Sequence, residues 1–311
     1  MRIITGAAAA AAAIGIGFAL GRVRPAAAVD QAAGHDMAMH DMAAMGGGSD
    51  IGAPMPGFQQ SAALPAAGST AMERLNKSPR HGEWVIVKVG PTDSVSAWVV
   101  YPERKDKAPV VITIHENTGI NAWTRAVADQ LAAEGFIAIA PDLTTMFRSG
   151  DLRADPTQDE GRAAIPKVTP EIGNAAIDAV AKYGMSLSAA LPKYGIVGFC
   201  WGGGRSFLHA THARGLGAAV VYYGSPPTAE QMKAIQAPVL GLYGGNDARI
   251  TSTVPATDST MKALGKSYEF HVFEGAGHGF LRAQDQSEAN LAAAKQAWPL
   301  TVKFFKQHLG G

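Results

Sequence analysis

Apolar and polar positions follow two rhythms along this chain, and the alternation between them predicts its elements. Short runs rich in β-branched and aromatic residues recur: EWVIVKV (83–89), VSAWVVYP (95–102), PVVITI (109–114), FIAIAP (136–141), GIVGF (195–199), AAVVYYG (218–224), PVLGLYG (238–244) and YEFHVFEG (268–275). Such runs predict strands, and the unbroken apolar character of PVVITI predicts burial on both faces. Between them lie stretches with helical spacing: AWTRAVADQLAAEG, EIGNAAIDAVAKYG, RSFLHATHA, STMKALG and a final SEANLAAAKQAWPLTVKFFKQHL. Gly135 stands where the first of these should end. Apolar strands alternating with helices predict an α/β fold, with a mostly parallel central sheet and helices on both faces. The first two runs are separated by a turn with Gly90 and Pro91, which predicts an antiparallel N-terminal edge. The polar, proline-bearing stretch from Pro141 to Pro170 reads as one long loop, positioned to cap a site.

The pattern is absent before about residue 72. Met1 and Arg2 precede an uncharged run, Ile3 to Leu20, and then Ala26-Ala27-Ala28. We read 1–28 as an export signal cut after Ala28, which implies a periplasmic or secreted protein. An uncleaved membrane anchor and a soluble Ala-rich helix are the alternatives. Residues 29–71 are dominated by Ala, Gly, Pro and Ser, so they are expected to form a loose linker that cannot offset its own ordering entropy. The folded domain is then 72–311. Within the linker, His35, Met37, Met39, His40, Met42 and Met45 are soft donors that suit copper. A copper-binding protein using the folded domain as a scaffold is therefore one functional alternative, and a catalytically idle binding module is another.

Composition narrows the rest. The chain is 47% hydrophobic and 17% charged with a formal net charge of +1, which gives no basic surface for nucleic acid. No cluster in the domain has metal-ligand spacing, and no phosphate-cradling motif is present, so neither metal nor cofactor is expected there.

The single cysteine, Cys200, falls between the strand GIVGF and a helix starting near Gly203. Gly198-Phe199-Cys200-Trp201-Gly202 has the glycine–x–nucleophile–x–glycine layout of a sharp strand-to-helix turn. That turn exposes the sulfur at the C-terminal edge of the sheet and at a helix N-terminus, where a thiolate is favoured. Downstream, Asp247 follows a strand in GGND, and His278 follows the last strand in GAGHGF. Nucleophile, acid and histidine in that order match the triad order of this architecture.

Together GFCWGG, GGND and GAGHGF resemble dienelactone hydrolase (carboxymethylenebutenolidase), an α/β-hydrolase with a cysteine nucleophile. The resemblance spans most of 83–308, and HENTGIN and APDL add to it. It implies a small-molecule ester or lactone substrate cleaved through a thioester on Cys200. His278 would be the base, Asp247 its partner, and the backbone N–H groups of Asn117 and Trp201 the oxyanion hole. It gives Glu116 the role of interacting with the resting thiol and helping to deprotonate it. It assigns arginines to the family substrate's carboxylate: Arg282 matches one, and Arg162 falls near the other. His115, beside Glu116, reads as a packing residue.

Overall fold

The computed structural model describes residues 52–310. The export signal, the Met/His cluster from His35 to Met45 and the rest of 1–51 lie outside the described residues, as does residue 311. Each of the eight apolar runs forms a strand: β1 (Gly82–Val89), β2 (Asp93–Val100), β3 (Ala108–Ile114), β4 (Ile137–Asp142), β5 (Ala190–Phe199), β6 (Leu216–Tyr222), β7 (Val239–Gly244) and β8 (Tyr268–Phe273). They build one sheet in the order β1-β2-β4-β3-β5-β6-β7-β8. The expected antiparallel edge is present: β1 pairs antiparallel with β2, and β2 with β4. From β4 to β8 every pairing is parallel. All residues of β3, β4 and β7 are buried, as runs apolar on both faces require.

The period-2 alternation splits each central strand between two cores. One side of the sheet gathers Val111, Ala138, Val197 and Val220 under α2 (Ala122–Ala133) and α9 (Glu288–Leu309). The other gathers Val110, Ile112, Ile139, Ile196 and Val221 under α4 (Pro170–Ser186) and α5 (Trp201–His212). Clamping the sheet between helices leaves its C-terminal edge, where the strands feed their loops, free to build a site.

Two expectations need correction. The loose linker does not extend to residue 71. Leu64, Ala66, Ala67 and Ala71 are buried, and α1 (Ala71–Asn76) packs beside α2. Small apolar residues suit this course, since they fit against the fold where large ones would not. The strap is also tied by polar contacts: Trp123 Nε1 donates to Ala66 O at 3.0 Å, Gln284 Nε2 to Pro65 O at 3.0 Å, and Gly68 N to Arg282 O at 2.8 Å. Nor is 141–170 one open loop. It contains α3 (Gln158–Ala164), opened by a capping box in which Thr157 and Glu160 satisfy each other's backbone N–H groups. Arg148 anchors it by donating to Asp142 at 2.6 Å, and Asp155 pairs with Arg125 at 2.6 Å.

Candidate active site

Cys200 occupies the turn between β5 and α5 with φ 56° and ψ −117°, a conformation that costs a non-glycine residue free energy and that the surroundings must impose. Its N–H donates to Tyr222 O at 3.1 Å, which pins the turn to the end of β6. The flanking glycines explain how the turn closes. A Cβ on Gly198 would lie 1.9 Å from Gly202 O, and one on Gly202 would lie 2.3 Å from His115 O. Both distances are impossible, so α5 can press this closely on β3 and β5 only with glycine at both positions. The sulfur is left partly exposed, in contact with both cores.

His278 lies in the loop after β8. Its Nδ1 is 2.5 Å from Oδ2 of Asp247, which follows β7 and is buried. Burial alone would lower the pKa of His278. The hydrogen bond to Asp247 and the interactions with the Cys200 sulfur outweigh it, and the imidazole is pushed up to about 10. Three residues from three separate loops, spread over 79 positions of sequence (200 to 278), thus converge on one rim.

Glu116 follows β3 and is buried, but its charged partner is Arg282, whose Nε donates to Glu116 Oε2 at 2.7 Å. Glu116 in turn raises the pKa of Arg282 against the effect of burial. The sequence reading gave these two residues separate partners, thiol and substrate; the fold pairs them with each other. Asn117, next in the chain, is half-buried, and Trp201 opens α5. The 116–120 loop is pressed from outside by α3, where a Cβ on Gly161 would fall 1.9 Å from Thr118 O. Arg162, beside that glycine, has its ion pair within its own helix, 3.8 Å from Asp159, and also meets Gln158. It therefore lies on the element that backs the loop, and its carboxylate partner differs from that of Arg282. His115 is fully buried as expected; it accepts from Leu143 N at 3.2 Å and stacks on Trp201 at 5.4 Å.

The β-strand arrangement and the elbow also fix what the chain resembles. The family model for the dienelactone hydrolase family matches residues 95–309. The chain belongs to the dienelactone hydrolase family. An Escherichia coli K12 protein named "Putative carboxymethylenebutenolidase" is 33% identical over 270 residues, covering 81% of this chain and 97% of that one. A Salmonella typhimurium protein of the same name is 35% identical over 233 residues, covering 70% and 84%. A crystal structure titled "Putative Dienelactone Hydrolase" from Klebsiella pneumoniae superposes with a TM-score of 0.63 at 28% identity, covering 73% of this chain and 99% of that one. An acylaminoacyl peptidase from Pyrococcus horikoshii, 15% identical with a TM-score of 0.58, shares the α/β-hydrolase fold. This dienelactone hydrolase-family protein is a hydrolase acting on esters or lactones.

Two buried polar residues at or near the site gave no signal in the sequence. Arg205, on α5, is 6% exposed, lies over the Trp201 ring at 4.8 Å and donates to Val168 O; burial lowers its pKa to about 10. In the sequence it reads only as the end of GGGR. Tyr223 lies within the apolar run AAVVYYG and reads as core, yet its ring lies 5.0 Å from that of His278.

Proposed function

We propose that this family member cleaves its ester or lactone through Cys200, His278 and Asp247, with a thioester on Cys200. The observation that carries this reading is the strained, partly exposed sulfur beside an imidazole that Asp247 grips at 2.5 Å. In the proposed cycle His278 holds the proton from the thiol and Asp247 stabilises the resulting cation. The sulfur attacks the carbonyl carbon, a C–S bond forms, and the π electron pair moves to the carbonyl oxygen. Trp201 is the first residue of α5, so its N–H has no carbonyl four residues back to bind, and it can receive that oxygen together with the Asn117 N–H. Such donors are typically worth about 3 kcal/mol in barrier. The C–O bond then breaks, and the leaving oxygen takes the proton from His278. A water gives its proton to His278 and attacks the thioester, the C–S bond breaks, and the acid product leaves.

The Glu116–Arg282 pair supports a substrate that carries a carboxylate of its own. An incoming anion competes with Glu116 for the Arg282 guanidinium, a group whose planar fork suits carboxylates. Glu116, released from Arg282, would then assist the passage of the thiol proton to His278. Turnover of a small activated ester and of a carboxylate-bearing lactone tests both parts. Cys200→Ala should lose at least 10³-fold in each, on the order of other nucleophile deletions, and Arg282→Met should raise KM for the lactone while sparing the neutral ester. Full activity in Cys200→Ala would end the proposal.

A further inference from the structure

His115 follows β3 directly and is fully buried. Its two ring nitrogens have different partners. Nε2 accepts from the Leu143 N–H at 3.2 Å, so it carries no proton. Burial lowers the pKa of the imidazole and keeps it neutral, which leaves the ring proton on Nδ1. Nδ1 therefore donates to Glu116 O at 2.6 Å. Asp142, 3.9 Å from Nε2, does not compete, because its own oxygens accept from Arg148 and Thr144. Glu116 O belongs to the same peptide unit as the Asn117 N–H. That unit is trans, like the others among the described residues, so its C=O and N–H point in opposite directions. A bond that fixes the carbonyl thus fixes the amide. Among the described residues no acceptor takes the Asn117 N–H. His115 also meets the residue that bears the other proposed donor: its ring stacks on Trp201 at 5.4 Å, and its carbonyl lies where a Cβ on Gly202 would fall.

We infer that His115 is a positioning residue: through its Nδ1–H bond to Glu116 O it aims the Asn117 N–H at the oxygen that becomes negative as Cys200 attacks. It touches no reacting atom and transfers no proton. Packing alone does not require this pair of bonds, since a ring of similar shape without nitrogens would stack on Trp201 as well. The Leu143 N–H, just after β4, holds the ring in the tautomer that can donate. The negative oxygen exists only in the transition state, so loss of aim should act on kcat more than on KM.

This inference rests on the roles proposed for Cys200 and the Asn117 N–H, and the experiment separates them. His115→Phe keeps a ring against Trp201 and deletes both nitrogens. Its kcat on the activated ester should fall about 10- to 100-fold, with KM within about twofold. Inhibition by a trifluoromethyl ketone, whose adduct on the sulfur carries a negative oxygen, should weaken to the same degree. Methanethiolation of Cys200 by methyl methanethiosulfonate forms no such oxygen, and its rate should stay within about twofold. His115→Asn restores an amide N–H near the place of Nδ1 and should recover most of kcat, while His115→Leu, of the same size, should not. A packing role predicts the reverse order, with Phe active and Asn impaired. Wild-type kcat in His115→Phe, or a methanethiolation rate that falls along with kcat, overturns the inference. Should His115→Phe fail to fold, the Asn and Leu variants decide, and equal turnover in the two overturns it. If Cys200→Ala is itself active, the underlying reading falls first.

Discussion

At the scale of single residues, charge placement around His278 governs the pH response. Its pKa in the folded protein is raised from the ordinary value near 6.5 to about 10. A group raised on folding stabilises the native state fully below its unfolded value and loses that contribution as pH rises through the folded one. The native state should therefore lose this support between about pH 6.5 and 10. Hydrolysis should hold across neutrality and decline above pH 10 as the imidazolium loses its proton. In Asp247→Asn the carboxylate behind the shift is gone, so the alkaline limb of the rate profile should move to lower pH and kcat should drop about 10²-fold or more. An alkaline limb that stays in place would show that Asp247 does not set the charge of His278. Cys200, Asp247 and His278 were legible from the chain because each stands in a short glycine-rich turn directly after an apolar strand. The Glu116–Arg282 pair was not, because nothing local links residues 166 positions apart.

Among the elements, the junction of β5 and α5 carries the strictest demand. Substituting Gly202 with alanine would drive a Cβ to 2.3 Å from His115 O and 2.6 Å from Ile114 O, both backbone atoms that cannot yield cheaply. We expect Gly202→Ala to cost roughly 3 kcal/mol or more and to abolish turnover, because α5 must retreat and take Cys200 with it. Two residues on, Gly204 is the internal control. Its Cβ would meet nothing nearer than Ser225 O at 3.5 Å, so Gly204→Ala should be tolerated, gaining up to about 1 kcal/mol of helix propensity. Thermal melts and ester turnover on the two variants check this; equal effects would count against a steric elbow. Helix content in 141–170 escaped the sequence reading because its prolines and polar residues mask α3, whose start depends on the Thr157–Glu160 box.

For the whole molecule, the strap at 64–71 joins the N-terminal side of the domain to the backbone beneath Arg282. Leu64→Ala should therefore lower unfolding free energy by about 2–3 kcal/mol in denaturant titration, while a change below 0.5 kcal/mol would mean the strap merely rests on the surface. The chain alone determined the strands, the two-sided burial of the sheet, the antiparallel edge and the glycine-bound elbow. Each follows from periodicity or from steric limits within a few residues, and such limits act before any distant contact forms. Tertiary structure alone decided that β4 lies between β2 and β3, that Ala-rich residues ahead of α1 are buried, and that Glu116 meets Arg282. Those outcomes depend on which surfaces close on each other and how polar groups share out partners once they do, and neither is written in any one segment.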